Sequence, residues 1–121
     1  MFSIADNNVI TITRGDSASF SLFLNKGTKL EPEQYVLTDN DAVYMGIMEA
    51  NQMFENAIVK YKFTVDDLDK NNDVKIKIKA TDTEYLEEDK YFYQIKLVYT
   101  DEDGDEQVNT VISRTPFFIQ N

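Results

Sequence analysis

The chain has no cysteine and no histidine in its 121 residues. Without cysteine there can be no disulfide, thiolate metal site or thiol nucleophile, so thiol redox chemistry is excluded, while reducing and oxidising surroundings suit the chain equally. Without histidine there is no Ser-His-Asp triad and no imidazole metal site. Positive charge is scarce as well: 12 Lys and Arg stand against 22 Asp and Glu, a net charge of −10. Such a surface repels phosphate backbones and anionic lipids, because both are bound by neutralising their charge with Lys and Arg. Nucleic acid and membrane are therefore not expected partners. No apolar run approaches the roughly 20 residues that span a bilayer. The start Met1-Phe2-Ser3-Ile4-Ala5-Asp6 lacks the regions of a signal peptide, so the expectation is a soluble, unexported protein.

What is present is apolar and aromatic content, 42% hydrophobic with eight Phe and seven Tyr. That is too rich for a disordered chain, and the length suits one domain over residues 1–121 with its own core. Apolar and polar residues alternate with period two in segment after segment, the mark of strands with one buried face. In Val74-Lys75-Ile76-Lys77-Ile78-Lys79-Ala80 the apolar side chains face one way and three lysines the other, which would also protect an edge from pairing with another sheet. Further strands are expected at Val9–Arg14, Ser17–Asn25, Ala42–Glu49, Ala57–Thr64, Lys90–Thr100, Gln107–Arg114 and Phe117–Gln120, with Pro116 restricting the last to an edge or a new start. Turn residues separate them, and Gly104 is expected to supply a positive φ in the last hairpin. The pattern predicts an all-β, immunoglobulin-like antiparallel β-sandwich of about seven to eight strands. Thr81-Asp82-Thr83-Glu84 has capping-box spacing for one helical turn, and Asp89-Lys90-Tyr91 has the Asp-x-Tyr pattern of a tyrosine corner. Tyr93 stands where antibody-type domains carry a disulfide cysteine, so those domains are a poor match.

Three motifs suggest chemistry. Arg14-Gly15-Asp16 is the tripeptide read by integrins, but a tight turn between two strands explains it better, with Gly15 giving the permissive backbone and Asp16 capping it. Asp101-Glu102-Asp103-Gly104-Asp105-Glu106 spaces carboxylates as calcium loops do, yet it lacks the distal bidentate Glu and runs into a strand, so a solvated hairpin tip is expected and no metal or cofactor. Asp66-Asp67 and Glu87-Glu88 lie in polar segments that would leave their pKa values ordinary. No glycine-rich phosphate loop is present, and no enzymatic activity is expected. Along Lys90–Thr100, Tyr91, Tyr93, Ile95, Leu97 and Tyr99 form a core face. The opposite face, Phe92, Gln94, Lys96 and Val98, is only partly polar and is expected, with Phe117 and Phe118, to be a subunit interface.

Composition and pattern stop at an acidic all-β binding or assembly domain. Four segments in order carry a resemblance: Ile10–Phe20, Asp41–Ile47, Tyr91–Leu97 and Asn109–Ile119. The series resembles the immunoglobulin-like domain at the N-terminus of phage baseplate upper proteins and related phage virion structural proteins. Those proteins continue into long helical or fibrous regions, whereas this sequence ends at Asn121. The resemblance implies a virion component, a small adaptor or decoration subunit anchoring a fibre to the capsid head or the tail baseplate, in contact with other virion proteins and associating with itself, most simply as a dimer. The alternative is a host-directed carbohydrate- or receptor-binding module. Exposed, clustered aromatics at Tyr35, Tyr44, Tyr61 and Tyr85 would favour that alternative, and their burial would favour the structural role.

Overall fold

The alternating segments form eight strands in a computed structural model that describes residues 2–121. They are β1 (Phe2–Ile4), β2 (Ile10–Thr13), β3 (Ala18–Leu22), β4 (Ala42–Met48), β5 (Val59–Phe63), β6 (Val74–Ile78), β7 (Lys90–Thr100) and β8 (Glu106–Gln120). Six of them make a curled sheet in the order β1-β2-β8-β7-β4-β5, and β3-β6 make a second, two-stranded sheet. The chain is an all-β sandwich. Its neighbour relations, β3 with β6 and β4 with β7 and then β8, are those of strands B-E and C-F-G in immunoglobulin-like domains.

Inner side chains of both sheets fill the space between them. Ile10 and Ile12 of β2, Met45 and Ile47 of β4, Ile76 and Ile78 of β6, and Tyr93 and Ile95 of β7 are all essentially inaccessible. In β6 the lysines alternate outward as the period requires, and its antiparallel register on β3 sets Ile76 opposite Phe20 and Ile78 opposite Ala18. Tyr91 is buried at the start of β7, and its hydroxyl accepts a hydrogen bond from the Glu88 N–H at 3.0 Å, three residues upstream, as a tyrosine corner does.

Three expectations are corrected. The sandwich is not antiparallel throughout, because β2 runs parallel to β8, pairing Ile10 with Phe117 and Ile12 with Ile119. Parallel neighbours need a long crossover, and almost the whole chain lies between these two. The expected strands Gln107–Arg114 and Phe117–Gln120 are one, β8 continuing from Glu106 to Gln120, so that of the two readings of Pro116 the edge position holds and the new start does not. Pro116 sits opposite Phe92 of β7 and one residue before the β2 ladder begins, so its missing N–H falls where the other edge has no partner. The helical turn does form, as α1 (Ala80–Glu84), but its N-cap is Lys79 with no side-chain bond. A reciprocal capping box occurs instead at Thr64 and Asp67, in the 3-10 turn Val65–Asp67. Thr83 is consumed elsewhere, its hydroxyl donating to the Asp16 carbonyl at 2.7 Å and so tying α1 to the start of β3.

Candidate interaction site

Arg14-Gly15-Asp16 joins β2 to β3. The Asp16 N–H donates to the Thr13 carbonyl at 3.0 Å, and Gly15, third in this four-residue turn, has φ 84°, the geometry of a type II turn. Arg14 points back along the protein. Its Nε donates to Asn121 Oδ1 at 2.7 Å, its Nη2 lies 3.5 Å from Asp89 Oδ1, and its backbone N–H donates to the Gln120 carbonyl. The tripeptide thus staples the end of β8 to the corner before β7, and its guanidinium is engaged within the chain.

The acidic hairpin between β7 and β8 is organised around one carboxylate. Asp101 Oδ1 accepts from the N–H groups of Asp103 and Asp105, and Oδ2 accepts from Gln107 Nε2. Gly104 has φ 83°, the positive value its place in the hairpin requires. The Asp105 N–H foremost, and then the Gln107 amide, hold the Asp101 carboxyl below the usual carboxylate range. The same device recurs at Asp69, which accepts from Ser21 Oγ and from the N–H groups of Asn71 and Asp73, and at Asn25, which accepts from those of Gly27 and Glu33. The first side chain of each acidic or polar tip therefore acts as a turn acceptor. Among the described residues, no three Asp or Glu come together as a group that could hold a metal ion.

The outer face of β7 meets this chain's own loop. Residues 49–58 fold back over β4, and the 3-10 turn Phe54–Asn56 lays Phe54 on Gly46: a Cβ at residue 46 would come within 3.0 Å of both the Phe54 ring and Ala57. Lys96 Nζ sits 4.7 Å from the Phe54 ring centroid, closing the turn from the β7 side. Arg114 of β8 clamps the loop by donating to the carbonyls of Glu49 (3.1 Å), Ala50 (2.7 Å) and Gln52 (2.8 Å), and its guanidinium stacks 4.5 Å from the Phe92 ring. Met48 is fully buried beneath. The partly apolar outer face of Phe92, Gln94, Lys96 and Val98 is thus half-buried without any second subunit. Replacing Arg114 with Ala removes the donors of three carbonyls together with the stacking, and should destabilise the domain by about 1–3 kcal/mol in chemical denaturation. Arg114→Lys should recover little, since an ammonium cannot serve that fork of acceptors.

The residues expected at the interface divide. Phe117 is inaccessible and packs edge-on against Tyr93, their centroids 6.2 Å apart, so it belongs to the core. The period of two turns the next residue outward: Phe118 is exposed, with Lys90 Nζ 5.7 Å from its ring and 5.2 Å from that of Phe92. Of the four diagnostic tyrosines, Tyr35, Tyr44 and Tyr61 are half-buried and Tyr85 alone is largely exposed. Tyr35 donates to Asp41 Oδ2 at 2.6 Å, and Tyr61 donates to Asp82. Desolvation, followed by the carboxylate beside each hydroxyl, raises the pKa of both, that of Tyr35 to about 12. Burial alone raises Tyr93 to about 12, and its hydroxyl donates to the Asn8 carbonyl.

Sequence reasoning did not find one feature, a cleft of about 630 Å³ between Phe23–Lys26 and the first half of β8, with Tyr35 and Tyr99 side by side at a 6.0 Å centroid separation. Its walls come from segments distant in sequence, so no local pattern announces it. Comparison with protein-family models, with curated proteins and with solved structures finds no match, and no family is assigned from them.

Proposed function

We propose that this domain is a phage virion structural protein, a small adaptor or decoration subunit that anchors a fibre to the capsid head or the tail baseplate through protein–protein contacts. The observation that carries the reading is where the four resembling segments lie. Ile10–Phe20 forms β2, the Arg14-Gly15-Asp16 corner and the first half of β3, Asp41–Ile47 forms most of β4, and the other two supply most of β7 and β8. They build the framework of the larger sheet, which is where a shared fold would leave its mark. The tyrosines favour the structural role over a carbohydrate- or receptor-binding module. Three of the four are partly withdrawn from solvent, and the hydroxyls of Tyr35 and Tyr61 are committed to Asp41 and Asp82.

Two measurements test the reading together. Mass spectrometry of purified virions should find the protein, and sedimentation should show the isolated domain self-associating, most simply as a dimer. A strict monomer at high concentration that is also absent from virions would overturn it. Imaging particles with the protein labelled would then place it on head or tail.

A further inference from the structure

One side of the sandwich is closed over only part of its length. β2 pairs with Phe117–Gln120 of β8, but the chain upstream of β2 does not continue along β8. It reverses at Asn8, which takes φ 70°, and β1 returns on the far edge of β2, with Phe2 stacked 6.0 Å from Phe20 of β3. The stretch of β8 from Glu106 to Thr115 therefore has β7 on one side and, among the described residues, no strand on the other. Facing this bare edge is Phe23–Lys26, the first arm of a hairpin whose bonds run from Lys26 N–H to the Glu33 carbonyl and from Tyr35 N–H to the Leu24 carbonyl. Between edge and arm lies the cleft, with Phe23, Leu24, Tyr35, Leu97, Tyr99 and Val111 in its walls.

An unpaired edge offers alternating N–H and C=O groups to any chain that can lie along it, and a neighbouring apolar groove can take every second side chain of that visitor. Phe23 of the loop arm is 46% exposed and Val108 of β8 is 55% exposed, so apolar surface lies on both sides of the edge. Charge selects the visitor. The hairpin Asp101–Glu106 opens directly into the free edge, and Lys26 in the cleft wall is already paired with Glu33 at 3.4 Å.

We propose that the Glu106–Thr115 edge of β8 accepts an extended, basic segment of a partner polypeptide as an added strand, its apolar or aromatic side chains entering the cleft and its Lys or Arg side chains facing the acidic hairpin. A second copy of this chain is a poorer occupant. It brings the same net charge of −10 and so would be repelled where a basic segment is attracted. The proposal rests on the open edge and not on a virion location, so either can fail without the other.

The test is a titration of isotope-labelled protein with a synthetic strand of about ten residues, enough to cover this edge, alternating Lys with Val and Tyr. Gln107–Val111 should show amide shifts and slowed hydrogen exchange. The same peptide with alternate backbone amides methylated, or with Glu for Lys, should bind at least about ten-fold more weakly, as should the Phe23→Ser variant once its spectrum shows an intact fold. Absence of protection at Gln107–Val111 with millimolar peptide overturns the proposal, and so does equal binding of the methylated or Glu peptide. Protection that grows with protein concentration alone assigns the edge to a second copy and overturns it too.

Discussion

Phe117→Ala should destabilise the domain by about 3–5 kcal/mol in chemical denaturation, while Phe118→Ala should cost about 1 kcal/mol or less. The two residues are adjacent, carry the same side chain and differ only in the face they take. Phe117 is inaccessible, sits opposite Ile10 in the parallel ladder and Tyr91 in the antiparallel one, and meets Tyr93 edge-on. Truncating it removes a ring from the place where three strands converge and leaves a cavity that a rigid sheet cannot close. Against the ~5–15 kcal/mol that usually holds such a domain, the loss is a large fraction of the whole. Had Phe117 been an interface residue, its removal would weaken association and spare the monomer. Equilibrium denaturation at several protein concentrations separates the two outcomes.

The second large effect is expected at Asp41, which is 4% exposed. One of its oxygens, Oδ2, accepts from the Tyr35 hydroxyl at 2.6 Å, the Thr38 N–H at 2.8 Å and the Thr38 hydroxyl at 3.1 Å. Asp41→Ala leaves these donors without their acceptor at the entrance to β4, and should cost about 2–4 kcal/mol. The substitution has a spectroscopic signature as well. Burial and then the Asp41 carboxylate keep the Tyr35 hydroxyl protonated up to about pH 12, so losing the carboxylate should bring its titration partway back toward 10, followed as tyrosinate absorbance. The linkage sign follows: because the folded pKa is raised, the stability Tyr35 contributes is fully present below pH 10 and is lost as pH rises from there to about 12. The variant should therefore unfold with a shallower dependence on alkaline pH than the parent, and an unchanged Tyr35 titration would exclude the proposed role of Asp41.

Where strands form was legible because alternation is a local signal. Lys90–Thr100 was bounded from sequence at the same residues as β7, and the lysine face of β6 declared its outward side. What was missed depends on distant partners. β1 has three residues, too few to show a period, and is held by its pairing with Ile10–Ile12. The outer face of β7 is left half-buried, and part of what lies on it, Phe54 against Lys96, comes from a loop whose single 3-10 turn has no hydrophobic period. Phe117 and Phe118 could not share an interface face, because the alternation continues through Pro116 and turns Phe117 inward and Phe118 outward. The acidic tip Asp101–Glu106 is legible as a turn, though the sequence could not show that one side chain, Asp101, gathers the amides of the rest.

The parallel pairing of β2 with β8 also determines how the domain meets tension. Once the three-residue β1 has peeled from β2, beginning where Phe2 faces Ile12, a pull toward the N-terminal end acts on β2 against its direction, and a pull toward the C-terminal end acts on β8 along its direction. Strands paired Ile10 to Phe117 through Thr13 to Gln120 are therefore drawn past one another in shear. The evenly spaced, slanted bonds of a parallel ladder loaded in shear share the load together and do not open one after another like a zip, as they would in a hairpin pulled from its open end. The Arg14 contacts to Gln120, Asn121 and Asp89 lie at the end of that ladder and add to its grip. Held by its two ends between neighbours, the domain would yield first at β1 and then act as a stiff link, most of its core staying folded until the β2–β8 ladder slips.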